Sequence, residues 1–115
     1  MSAPEPQVPA GFSVEFDGGE PSGTARRLVV SGELDLMTSP RFAAALEELL
    51  DDPGTGPVVA DLTGVAFFDS SALGVLLQAA DRARNRNRPL RVEPSERVRK
   101  VMVLAGTARH FGIEE

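Results

Sequence analysis

Asp69, Ser70 and Ser71 stand together between the apolar stretch "VAFF" at 65–68 and a run, beginning with Ala72, whose apolar residues have helical spacing. An acid beside two hydroxyls has three chemical uses: capping a helix, forming part of a nucleophilic triad, or presenting a hydroxyl that another enzyme modifies. The triad needs a base, and His110 is the only imidazole in the chain. No G-x-S-x-G elbow surrounds the serines, and neither a P-loop nor a G-x-G-x-x-G sequence occurs. With no cysteine, thiolate chemistry, disulfides and cysteine metal sites are excluded, and one histidine makes no metal cluster. The expectation is therefore a chain that is not an enzyme, has no catalytic residue, and needs neither metal nor cofactor. Two readings of the serines remain, as helix caps or as acceptors for chemistry supplied by a partner.

Fewer possibilities attach to the other polar residues. Asp35, in "GELD", reads as a turn or loop acid. Arg82, Arg84, Arg86, Arg88 and Arg91, in "DRARNRNRPLR", read as a solvated surface near a helix C-terminus, with a phosphate-binding patch as the alternative. Phe67 and Phe68 read as anchors of the core and of the loop before the serines, and one of them is a candidate interface contact.

These residues need a scaffold, and composition says what kind. The chain has 115 residues, enough for one core, and its charged and apolar fractions, 25% and 42%, are those of a folded soluble domain. Seventeen acids against 12 bases give a net charge of -5, which draws the chain toward neither nucleic acid nor anionic lipid. The start "MSAPEPQVPAG" lacks the features of a signal peptide, and no apolar run approaches a membrane span, so a cytoplasmic location is expected. Residues 1–10, with three prolines, read as a flexible tail before a single domain over 11–115.

Within that domain two periodicities alternate. Strands are expected at Phe12 to Phe16, from Leu28 to near Gly32, from Val58 towards Asp61 with a loop after it, at Leu90 to Val92, and in the edge segment "HFGIE". Between them, Ser39 as cap followed by Pro40 starts one helix, with Phe42, Ala45, Leu46, Leu49 and Leu50 on its apolar face. A second runs from Ser70 to about Arg84, burying Leu73, Leu76, Leu77 and Ala80. Ser95 caps a third, facing inward with Val98, Val101, Met102 and Ala105 and stopped by Gly106. The order implies an α/β domain: a mixed, mainly parallel sheet of about five strands, with an antiparallel N-terminal strand and helices packed on it.

"VSGELDLMTSP", "VVADLTGVAFFDSSALGVLL" and "VEPSERVRKVMVLAG" occur in an order and at a spacing that resemble the STAS domain, named for sulfate transporters and anti-sigma factor antagonists. The resemblance runs from about Phe12 to the C-terminus and is strongest to the free-standing antagonists, or anti-anti-sigma factors. It implies the STAS fold and a partner switch in transcription regulation. The unphosphorylated antagonist binds an anti-sigma factor that is also a serine kinase, which releases the sigma factor. The kinase then phosphorylates the serine after the motif aspartate, the phosphoprotein dissociates, and a serine phosphatase resets it. Transferred by position, the acceptor is Ser70, and the partner-binding residues are Asp35, Asp69, Ser70, Ser71, Ala72 and Leu73. The alternative implied by the same family is a STAS scaffold or binding subunit of a transport or stress-signalling assembly, without a phosphorylation cycle.

Three departures from the antagonist pattern carry expectations of their own. Ala72 replaces a frequent glycine, which stiffens the helix start. "NRNRP" replaces a glycine-rich turn, so Asn87 is expected to take the left-handed conformation. Many members continue beyond the position of Glu115 into a last helix, which would leave apolar surface near the C-terminus.

Overall fold

The computed structural model describes residues 13–17, 26–51 and 56–114. The tail expected over 1–10 lies outside the described residues. In chain order the elements are β1 (Ser13–Asp17), β2 (Arg26–Leu34), α1 (Ser39–Asp51), β3 (Val58–Phe68), α2 (Ser70–Asn85), β4 (Leu90–Pro94) and α3 (Glu96–Leu104). A 3-10 turn at Ala108–Phe111 follows. The sheet order is β1-β2-β3-β4, with β1 antiparallel to β2 and the three remaining strands parallel.

The topology decides where the helices go. The crossovers β2-α1-β3 and β3-α2-β4 step the same way across the sheet, and crossovers of this kind are right-handed, so both helices land on one face. Strand alternation gives that face Leu28 and Val30 from β2, Val58, Ala60 and Leu62 from β3, and Leu90 and Val92 from β4, all buried. Phe42, Leu46, Leu49 and Leu50 of α1 and Leu76, Ala80 and Ala83 of α2 close over them in a single apolar cluster. On the opposite face Arg27 bridges strands, its Nη1 3.3 Å from Asp61 Oδ2 and its two Nη atoms on the Glu93 carboxylate. Asp61 and Glu93 are register partners, so the guanidinium offsets a repulsion between adjacent strands.

Strand β3 is much longer than the sequence suggests, and its length is what delivers Asp69 and Ser70 to their place. It has 11 residues against 9 in β2, and the two extra ones appear as register shifts opposite Val29/Ser31 and Gly32/Glu33. Each bulge changes which side the following residues face. Leu62, Val65 and Phe68 are thereby all buried although they are three apart. The segment expected to be a loop after Asp61 is thus a strand whose period of two is broken twice. At the first bulge a Cβ on Gly64 would lie 2.9 Å from the Cβ of its register partner Ser31, so the close approach of the two chains requires glycine.

Four further expectations change. The sheet has four strands among the described residues rather than five, because "HFGIE" turns through Ala108–Phe111 and Gly112, at φ +77°, instead of extending. Phe111 and Ile113 are buried there, so this segment closes the core, and the large apolar side chain left exposed near the C-terminus among the described residues is Leu104 at the end of α3. Ser39 is the first residue of α1 rather than its cap; Thr38 precedes it, with its carbonyl accepting from Phe42 N at 3.1 Å. Ala105 is exposed beyond the end of α3, and Ala45, Leu77 and Val101 are half-buried at the edges of their apolar faces. Ser95 does cap α3, accepting from Val98 N at 3.1 Å, and Asn87 has φ 56°, the left-handed turn that ends α2.

Candidate functional site

The bulged end of β3 hands the chain directly to α2. Asp69 is the N-cap, in extended conformation, and its Oδ1 accepts from Ser71 N at 3.0 Å and Ala72 N at 3.2 Å. The helix then starts with Leu73 N donating to Asp69 O at 3.1 Å. One carboxylate oxygen therefore satisfies two of the amides that a helix start leaves without partners, and its negative charge sits at the positive end of the helix dipole.

Adjacent in sequence, the two serines have different surroundings. Ser71 is half-buried, its hydroxyl donating to Asp69 Oδ1 and lying 3.4 Å from the Ser39 hydroxyl of α1. Ser70 is exposed, and its hydroxyl has no partner among the described residues. The difference follows from helical phase: positions 72, 73 and 76 face the sheet, which turns position 70 outward. Sequence reasoning left open which hydroxyl is presented; the structure exposes Ser70.

Asp35 comes to the same end of the sheet through the β2–α1 turn. Its Oδ1 accepts from Met37 N at 2.9 Å and Thr38 N at 3.1 Å, so it is a turn acid as well as a neighbour of the serine pair. The turn is tied from every side. Thr38 Oγ1 donates to Glu33 O at 2.9 Å and accepts from Asp35 N, and Ser39 Oγ donates to Asp35 O at 2.7 Å. Asp69 N donates to Leu34 O at 3.2 Å, which joins this turn to the cap of α2.

Not every residue expected in the surface belongs to it. Ala72 is fully buried and Leu73 is 8% exposed, because both lie on the core side of α2. They position the site and offer a partner little side-chain area. Two residues were missed: Leu36 and Met37, 74% and 81% exposed, project from the tied turn beside Asp35. Their only sequence signal is an apolar pair in "LDLMT" that fits neither strand alternation nor the helical face that follows. Phe68 is buried, while Phe67 is half-buried with the Arg97 guanidinium 5.2 Å from its ring centroid.

The arginine run is mostly structural. Arg82 pairs with Glu47 at 2.9 Å, and Arg86 Nη1 donates to Leu50 O at 2.8 Å and Asp51 Oδ1 at 2.9 Å; both tie α2 to α1. Arg88 is buried and donates from Nε to Gly56 O at 3.0 Å. Only Arg84 of these helix residues turns toward the C-terminal segment, where its Nη2 lies 3.4 Å from His110 Nε2.

The chain matches the family described as "Mlab, STAS domain" over residues 20–113. No curated protein sequence matches it. Among solved structures it is similar to an anti-sigma factor antagonist from Mycobacterium paratuberculosis, with 22% identity, TM-score 0.79, and coverage of 92% of this chain and 87% of that one. It is also similar to the antisigma-factor antagonist STAS domain from Rhodobacter sphaeroides, at 27% identity and TM-score 0.59, covering 77% and 97% of the two chains. A third relative is the Bacillus protein SpoIIAA. Its unphosphorylated form, an anti-sigma factor antagonist, gives 20% identity, TM-score 0.63 and coverage of 90% and 88%; its phosphorylated form gives 18%, 0.62, 90% and 91%. With a family match over nearly all of the described residues and a fold shared with several antagonists, the chain belongs to the STAS domain family.

Proposed function

We propose that the protein is an anti-sigma factor antagonist that works by partner switching in the cytoplasm. Its unphosphorylated form binds a serine-kinase anti-sigma factor and releases the sigma factor, and phosphorylation of Ser70 ends that binding until a serine phosphatase removes the group. The observation that carries this reading is the contrast within the serine pair: Ser71 is held by Asp69 against α1, whereas Ser70 presents an unengaged hydroxyl at the first turn of α2. Support for the class comes from the similar structures of anti-sigma factor antagonists, one of them solved in both unphosphorylated and phosphorylated forms.

The geometry also suggests why a phosphate would switch the surface without unfolding it. The amides of Ser71 and Ala72 are already occupied by Asp69, so a phosphate on Ser70 would remain in solvent instead of replacing the cap. It would add roughly -1.5 to -2 charges beside Asp69, at the end of the sheet that also carries Asp35, Leu36 and Met37. A partner fitted to the neutral hydroxyl would then face an uncompensated charge. A cost of ~3–4 kcal/mol lowers affinity by about two to three powers of ten. Leu36 and Met37 supply the apolar part of the contact, which a rigid turn offers at little ordering cost.

The test is to measure the affinity of candidate serine-kinase anti-sigma factors for the Ser70→Ala and Ser70→Asp forms. The alanine form is expected to bind as tightly as the parent and resist release by ATP, and the aspartate form to bind at least about tenfold more weakly. Equal affinities would favour the scaffold reading, in which the surface docks a partner without a phosphorylation cycle.

A further inference from the structure

A second feature lies at the other end of α2, about 20 Å along the helix axis from Ser70. The C-terminus of α2, the start of β4 and the C-terminal 3-10 turn border an open cleft of about 380 Å³, within the size range of small-molecule sites. Ala80, Pro89 and Leu90 form its apolar floor, and Arg84, Arg88 and His110 supply polar groups. None of its described lining residues is acidic, in a chain whose net charge is -5. The nearest carboxylate partner of Arg84 is Asp81 on the helix itself, at 3.3 Å, an exposed pair of little energetic weight.

The contact between Arg84 and His110 is unusual. A guanidinium has only donors, so Nη2, which also lies 3.3 Å from Asp81, points an N–H at the ring nitrogen at 3.4 Å, leaving the Nη1 and Nε donors of Arg84 at the exposed rim and Nδ1–H as the donor that His110 offers. Arg88, buried and held by its Nε on Gly56 O, adds a second positive charge to the lining of the same cleft. Cationic groups converging on an apolar floor match a small molecule with an anionic head and a flat apolar body.

We propose that this cleft binds a small organic anion, with a phosphate or carboxylate head received by Arg84 and His110 and an apolar group laid on Ala80, Pro89 and Leu90. The site is independent of Ser70 and does not rest on the partner-switch reading.

Phenyl phosphate is a suitable probe, titrated into the full chain while backbone amide resonances are followed by NMR. The expected result is saturable shifts at Asn87, Leu90 and His110, half-saturating in the millimolar range or tighter, as suits a ligand of about ten heavy atoms. Inorganic phosphate should bind about tenfold more weakly, because it leaves the apolar floor uncovered. Arg84→Gln and His110→Ala, whose folding is verified by the rest of the spectrum, should each weaken the probe by about tenfold, while Ser70→Ala binds it like the parent. Shifts that never saturate, or variants that bind like the parent, would overturn the proposal. Inorganic phosphate binding as tightly as phenyl phosphate would overturn the assignment of the apolar floor.

Discussion

Asp69 and Ser70 divide between them two tasks that a helix start usually combines. The carboxylate stabilises the helix and the hydroxyl is left to the surface. Their substitutions should therefore separate. Asp69→Ala should cost about 1 kcal/mol in urea denaturation, with Asp69→Asn retaining most of the stability, because asparagine also caps. Ser70→Ala should change stability by less than about 0.5 kcal/mol, since its hydroxyl bonds to nothing described. An acid and two hydroxyls before a helix were legible in the sequence. Which hydroxyl faces outward was not, because it depends on the phase at which α2 meets the sheet, and that phase is set by Phe68 and Leu73 docking in the core. The buried state of Ala72 escaped for the same reason, whereas Leu73 was legible as a buried residue of the helix face and entered the partner-binding set only by its adjacency in the motif.

At the scale of elements, the helices were easy to read and the bulged strand was not. Capping chemistry is local, so Ser95 and the left-handed Asn87 announced themselves. Thr63–Gly64 looked like a turn because a bulge breaks the period of two in sequence, although the ladder resumes beyond it in space. Gly64 provides the test of that arrangement. Gly64→Ala would bring a Cβ to 2.9 Å from that of Ser31, and should cost about 1–3 kcal/mol in chemical denaturation. Adding Ser31→Gly should recover part of the loss. No recovery would mean that the close approach is not what requires the glycine. The "HFGIE" segment was misread for a different reason: alternating Phe and Ile suit a strand, but the left-handed Gly112 between Phe111 and Ile113 turns both side chains inward.

For the whole molecule, the sheet has one face under helices and one held by charges. Burial would raise the Asp61 pKa, but bonds from the Thr63 hydroxyl and amide, together with Arg27, outweigh it and hold the carboxyl below its ordinary value. A carboxyl lowered in this way contributes stability in full above its unfolded pKa of about 3.9 and loses it as pH falls through the lowered value. Thermal denaturation between pH 6 and pH 2 should therefore show a weaker acid dependence in Asp61→Asn than in the parent. At the opposite side, Phe111→Ala should cost about 3–5 kcal/mol in chemical denaturation, since that ring is fully buried and closes the core after β4.

The account rests most heavily on Ser70 being the acceptor, and intact-mass and tandem mass spectrometry test it directly, after incubation with ATP and the serine-kinase anti-sigma factors of the same cell. A single added phosphate located on Ser70, and absent from Ser70→Ala, is the predicted result. A phosphate on Ser71 instead, or none with any of these kinases, would contradict it.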